Sequence, residues 1–252
     1  DSMIDRLEHS FEQQRRFVQD ASHELRTPLA AIRTNIEVAE MDGEISPDEY
    51  RQLVETIKSQ TARLTRLSED LLLLSANEEG GERELEPVPL VALAQEVAAQ
   101  LGPLARARNV AIRVEGDARL EAEAEPDGLF RCVFNLVDNA IKYSGDGRLV
   151  TIRAAREATE AKVSVIDNGP GIPEEEQAHV FERFFRVDKG RSRQEGGTGL
   201  GLAIVRELVG NMGGTVSIAS KPGEGSTFSI GLAAAPDAPE RTATFAGRQA
   251  TA

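Results

Sequence analysis

Phe17-Val18-Gln19-Asp20-Ala21-Ser22-His23-Glu24-Leu25-Arg26-Thr27-Pro28-Leu29 lies on a run whose apolar residues recur at alternating spacings of three and four. The series is Ile4, Leu7, Phe11, Val18, Ala21 and Leu25, with polar Gln14 as its interruption. That is a helical heptad seam. With Ile4, Phe11, Val18 and Leu25 at a and Leu7, Gln14 and Ala21 at d, His23 falls at f and is expected to face solvent. His9, two heptads earlier, takes the same position, so exposure alone does not separate the two imidazoles. Context does. An imidazole titrating near neutrality can attack a phosphoryl group, and Glu24 beside His23 can orient it or take its proton. Pro28, one turn on, removes a backbone hydrogen bond to the Glu24 carbonyl and is expected to kink or loosen the helix there.

Outward from this helix, Gly43 breaks the pattern and Ser46-Pro47-Asp48-Glu49 supplies an N-cap, a proline at the first helical position and a capping-box glutamate. A second helix is predicted from there, its seam running through Leu53, Ile57, Gln60, Leu64, Leu67, Leu71 and Leu74 before Glu78-Glu79-Gly80-Gly81. The result is a helical hairpin. Two helices leave an apolar stripe uncovered, which implies a homodimer closing a four-helix bundle. After Gly81 the period changes. Short β-like runs at Val110 to Val114, Leu149 to Ala155, Lys162 to Asp167, Thr215 to Ala219 and Thr227 to Leu232 alternate with helical stretches at Leu90 to Arg106, Leu129 to Tyr143 and Leu200 to Met212. This predicts an α/β domain. From Ala233 onward Ala, Pro, Thr and Arg dominate without periodicity, as in a disordered tail.

The chain carries 29 Lys plus Arg against 42 Asp plus Glu, a formal charge of −13, which argues against nonspecific binding of nucleic-acid phosphates. Its one cysteine, Cys132, excludes an internal disulfide and a cysteine-based zinc site. No stretch approaches the roughly 20 apolar residues of a membrane span, and the acidic start does not read as a signal peptide.

Three further segments carry candidate chemistry. In Asn135-Leu136-Val137-Asp138-Asn139-Ala140-Ile141-Lys142-Tyr143, the residues Asn135, Asn139 and Lys142 share one helix face while Leu136, Val137 and Ile141 can face a sheet. Amide oxygens there suit a hard cation and the lysine a phosphate, although a plain polar face would read the same way. Asp167-Asn168-Gly169-Pro170-Gly171 ends a β-like run, and the Asp167 carboxylate can accept from an exocyclic amine such as that of adenine. Gly196-Gly197-Thr198-Gly199-Leu200-Gly201-Leu202 opens a helix whose amides suit phosphate, or it is a bare turn. Gly223-Glu224-Gly225-Ser226-Thr227-Phe228, taken alone, is a hairpin turn. Between Gly171 and Gly196, the stretch from Arg183 to Arg193 sets Arg183, Arg186, Lys189, Arg191 and Arg193 against Asp188 alone, a basic patch that fits a polyphosphate lid or a solvated loop.

Together and in this order, these segments resemble the cytoplasmic core of bacterial two-component sensor histidine kinases. Phe17 to Leu29 looks like the H box, Asn135 to Tyr143 the N box, Asp167 to Gly171 the G1 box, Phe181 to Phe185 the F box, Gly197 to Gly201 the G2 box and Gly223 to Phe228 the third glycine box. The resemblance implies residues 1–11 as the end of a HAMP-like signalling helix, 12–78 as the dimerisation and phosphotransfer hairpin and 79–84 as a linker. Residues 85–233 would be a Bergerat-type (GHKL) α/β sandwich binding ATP, and 234–252 a tail. It implies His23 as phospho-acceptor, Glu24 as acid/base partner and Thr27 as the residue positioning water for dephosphorylation of a partner. Asn139 and Asn135 would serve Mg2+ and phosphate, Lys142 phosphate, Tyr143 the base or ribose, and Asp167 the adenine amine. Gly169, Gly171, Gly197, Gly199, Leu200 and Gly201 would shape the pocket and lid hinges, Arg186 the lid, and Thr227 the adenine edge. The function implied is ATP-dependent autophosphorylation of His23, then transfer to an aspartate of a response regulator in trans. The alternative is a non-catalytic dimeric signalling scaffold with a relic nucleotide fold. The family also implies an upstream transmembrane sensor, which would make this chain the cytoplasmic portion of a bacterial membrane protein.

Overall fold

The computed structural model describes residues 2–41, 45–77, 84–144, 148–187 and 197–236, with the backbone alone at residues 2–10, 13, 14, 76 and 77. Gly43, most of the 79–84 linker, the lid residues Lys189, Arg191 and Arg193, Gly196, the tail from 237, and the side chains of Ile4, Leu7, His9 and Gln14 lie outside this description.

Two long helices come first: α1 (Ser2–Met41) and α2 (Pro47–Asn77). Helix α1 runs without interruption through residues 11 and 12 and through Pro28, so the predicted loosening at Pro28 is not a break. The start of α2 is the reciprocal cap expected from sequence: the Ser46 amide donates to Glu49 Oε2 at 2.9 Å and the Glu49 amide to Ser46 Oγ at 3.3 Å. Hydrogen bonds from the Ser46 side chain and from its backbone amide favour the carboxylate, holding Glu49 below its usual range.

Then come β1 (Glu86–Pro89), α3 (Leu90–Ala107), β2 (Ala111–Gly116), β3 (Glu121–Ala124), α4 (Pro126–Ser144), β4 (Leu149–Glu157), β5 (Glu160–Asp167), the short α5 (Glu174–Gln177), α6 (Gly201–Asn211), β6 (Thr215–Lys221) and β7 (Gly225–Ala233). Five strands form one sheet in the order β2-β4-β5-β7-β6, and β1 pairs with β3 in a small second sheet. Only β2 and β4 are parallel in the large sheet. All five strands and three long helices of the predicted α/β domain are present. The small sheet was not predicted, because Glu121-Ala122-Glu123-Ala124 has little strand propensity and β1 contains two prolines, Pro87 and Pro89. One boundary is corrected: Ala234 bridges to Ala122 and the Ala235 amide donates to the Glu121 carbonyl at 3.0 Å, so the fold extends past the predicted tail start at 234.

The core lies between the large sheet and α3, α4 and α6. On α4, Leu129, Cys132, Val133, Leu136, Val137, Ala140 and Ile141 are buried at helical spacing, which turns Asn135, Asp138, Asn139 and Lys142 to the other side. Burial pushes the Cys132 thiol up to about 12 and makes it a packing residue. On β5, Ala161, Val163, Val165 and Asp167 are the buried alternate residues, so strand period two carries Asp167 inward at the end of an apolar row. Leu67 and Leu74 of α2 belong to the same buried cluster, so the hairpin and the sandwich share a core. Burying each leucine contributes about 2 kcal/mol to that docking. No described helix is long and apolar enough to cross a membrane.

Candidate functional site: a nucleotide-sized cavity beside the His23 helix

Between α4, α6 and the loop after β5 lies a cavity of about 900 Å3. Asp167 sits at its floor, buried, with Oδ1 accepting from the Gly169 amide at 2.8 Å. Burial first raises its pKa, against hydrogen bonds from the Gly169 and Ser226 amides and the field of Arg148. A buried carboxylate with acceptor capacity left over is suited to an amine donor. Asn135, Asn139, Lys142 and Tyr143 line one wall from the polar side of α4. Lys142 is ion-paired with Asp138 one turn back, and Asn135 Nδ2 donates to the Gly201 carbonyl at 3.5 Å. Amide and ammonium groups therefore stand together where a polyphosphate would pass, with Gly197, Gly199 and Gly201 opposite.

Gly199 must be glycine. Its φ is +75°, and a Cβ there would stand 2.9 Å from Phe184 Cα. Phe184, itself at φ +63°, donates its amide to the Gly199 carbonyl at 2.8 Å. The phenylalanine-rich segment and the glycine loop are thus clasped backbone to backbone.

On α1, His23 is exposed as its f position requires. Glu24 turns inward: its Oε2 accepts from Arg63 of α2 at 2.8 Å and approaches Arg186 at 3.5 Å. Arg186 lines the cavity and also donates to the Gly197 carbonyl. Phe17 packs against Phe184 with ring centroids 6.1 Å apart and lies under the Arg183 guanidinium at 4.9 Å. The Thr27 hydroxyl donates to the His23 carbonyl at 3.2 Å.

The cavity wall gathers Asn135, Asn139, Lys142, Tyr143, Asp167, Gly171, Arg186, Gly197, Gly199 and Gly201 from the sequence-predicted set. Gly169 and Leu200 support the wall from behind: the one bonds Asp167, and Leu200 is buried. Thr227 is displaced from the expected adenine edge, because β7 alternates and presents Ser226 and Phe228 to the cavity instead. His23 and Thr27 are not among the lining residues, and Glu24 reaches the wall only through Arg186. The hairpin turn expected at Gly223 is present between β6 and β7.

Sequence reasoning missed the hairpin's own contribution to the wall: Arg66, Glu69 and Asp70. Asp70 accepts from Arg131 of α4 at 3.1 Å and from the Thr198 hydroxyl at 3.1 Å. Burial raises its pKa, against the two hydrogen bonds. A signal existed. Asp70 lies three residues after the seam residue Leu67 and four before Leu74, a spacing that places it beside the buried leucines but names no partner for it.

A buried carboxylate, a polar helix face and a glycine loop around a cavity of about 900 Å3, with a solvent-facing histidine on the adjoining hairpin, suit an ATPase-type domain joined to a phospho-acceptor hairpin. Residues 124–236 match the family model described as histidine kinase-, DNA gyrase B-, and HSP90-like ATPase, and residues 13–80 that of the His Kinase A (phospho-acceptor) domain. The chain is 42% identical over 209 residues to a probable sensor histidine kinase, TcrY, of Mycobacterium tuberculosis, spanning 83% of this chain and 44% of that protein. A solved mycobacterial sensor histidine kinase, MprB, is 32% identical with a TM-score of 0.51, matching 60% of this chain and 99% of that one. The structure of ShkA in complex with AMPPNP is 26% identical with a TM-score of 0.66, matching 86% of this chain and 45% of that one. The chain belongs to the sensor histidine kinase family and carries its phospho-acceptor and ATPase modules. It spans about half the length of the curated relatives it matches.

Proposed function

We propose that the chain is the catalytic core of a homodimeric sensor histidine kinase that transfers the γ-phosphoryl group of ATP to His23. The observation that carries this reading is the link from Glu24 to Arg186: the residue beside His23 touches the wall of the nucleotide cavity. As an imidazole nitrogen of His23 bonds to phosphorus, the bond to the β-phosphate oxygen breaks and Glu24 accepts the imidazole proton. Asp167 holds the adenine amine, while Lys142 and the glycine-loop amides hold phosphate oxygens. Catalysis rests on positioning and charge neutralisation. Asn135 and Asn139 fit a Mg2+ ion: both line the cavity, and the Asn135 NH2 is engaged by the Gly201 carbonyl, which leaves its amide oxygen as an available hard ligand. Among the described residues no group of three His, Cys, Asp or Glu could hold an ion alone. Bound there, Mg2+ would neutralise charge on the phosphates.

From His23 the phosphoryl group passes to an aspartate of a separate response regulator, and Thr27, one turn beyond His23, orients water for hydrolysis of that aspartyl phosphate to carboxylate and inorganic phosphate. The full-length protein is then a membrane sensor with this chain on its cytoplasmic side. Incubation with γ-labelled ATP is expected to give an acid-labile, base-stable phosphoprotein, lost in His23→Gln and kept in His9→Gln. Label persisting in His23→Gln would overturn the assignment. A relic scaffold would bind no MgATP in a calorimeter.

A further inference from the structure

Asp70 belongs to the phospho-acceptor hairpin, yet its carboxylate stands in the wall of the nucleotide cavity. Its side chain is 14% exposed. One oxygen accepts from Arg131 and the other from Thr198, so both oxygens are committed to the ATP-binding domain. Thr198 sits inside the glycine loop, and its hydroxyl also accepts from the Leu200 amide at 3.3 Å, just ahead of α6. Arg131 lines the same cavity and is the cation nearest this carboxylate. A polyphosphate entering the cavity therefore meets a fixed negative charge, and it meets a guanidinium already neutralised by that charge.

Accepting that the cavity takes ATP, we infer that Asp70 is an affinity-setting residue: the hairpin reaches into the nucleotide site and weakens polyphosphate binding by repelling it and by occupying Arg131 and Thr198. The consequence is a reciprocal coupling. Whatever draws Asp70 out of the cavity tightens ATP, and ATP in turn favours release of Asp70 from the glycine loop.

Asp70→Asn isolates the charge, because an asparagine can still accept from Thr198. By calorimetric titration of the whole chain, ATP is expected to bind about fivefold more tightly to Asp70→Asn, ADP to gain less, and adenosine not to change, since the repulsion scales with ligand charge and is screened by salt. Arg131→Gln is expected to weaken ATP binding in the wild-type background, where it leaves Asp70 unpaired. In the Asp70→Asn background the same change should return affinity toward the wild-type value. An ATP affinity that is unchanged or weaker in Asp70→Asn, or an equal gain for adenosine, overturns the inference. A wild-type chain that takes up no ATP overturns the nucleotide reading of the cavity itself, a separate outcome.

Discussion

At the scale of single residues, the proposed adenine contact would make Asp167 couple stability and ligand binding with opposite signs. Burial holds its carboxyl above the ordinary value of 3.8, so the folded chain keeps a proton that the unfolded chain has lost. Stability of the ligand-free chain attributable to this group therefore rises as pH falls from the raised folded value toward the ordinary one, and is flat above and below. Affinity for an adenine amine runs the other way, falling as the same carboxylate is protonated. Asp167→Asn is expected to lose about 10- to 100-fold in ATP affinity, the cost of a charge-assisted hydrogen bond. Thermal melts of the ligand-free variant should also lack this increment of acid stabilisation. A variant that melts with the wild-type pH dependence and binds ATP as tightly would refute both halves. Asp167 was legible because a strand-like run ends on it and glycines follow. Asp70 was not, because its partners Arg131 and Thr198 lie 61 and 128 residues away. Thr227 misled for a local reason: a motif names a segment, but strand alternation decides which of its residues face the site.

At the scale of elements, legibility followed the strength of the local code. The start of α2 was readable to the residue because proline fixes the first helical position and the Ser46 and Glu49 side chains satisfy each other's backbone amides. Ser46→Ala is expected to cost about 1 kcal/mol, seen as a lower urea midpoint and loss of helical signal, with ATP affinity unchanged because the cap is remote from the cavity. An unaltered midpoint would mean that the cap contributes nothing. By contrast β1 and β3 were missed, since each is four residues long and makes sense only as a pair across α3. The glycines at the β6–β7 turn read correctly as a hairpin but carried a second constraint. A Cβ on Gly225 would stand 2.0 Å from the Asp167 carbonyl, so the turn also buttresses the strand end that presents the carboxylate. Turn propensity announces the first role, and only the folded sheet exposes the second.

For the whole molecule, the heptad seam of α1 is used twice. Ala21 and Pro28 are buried within the chain, while Phe11, Val18, Leu29 and Ile36 are 71%, 59%, 54% and 40% exposed. At 100° per residue those four fall within about 20° of one another on the helix surface, an apolar stripe alongside the face that docks on α2 and the sandwich. The hairpin pattern therefore held two instructions, and sequence periodicity alone merged them. In the proposed homodimer, a second copy related by a two-fold axis would cover the stripe with its own counterpart and turn the pair of hairpins into a four-helix bundle. His23 lies roughly 140° around the helix from Val18, so such pairing leaves the phospho-acceptor accessible. The wild-type chain is expected to sediment at twice its 27.3 kDa, and the double change Val18→Glu and Ile36→Glu to shift it to the monomer mass. ATP affinity should survive that shift, because neither Val18 nor Ile36 is among the residues that line the cavity. Wild-type protein that remains monomeric at micromolar concentration, or a double variant that still dimerises, would place the dimer contact elsewhere and leave the exposed stripe of α1 without this role.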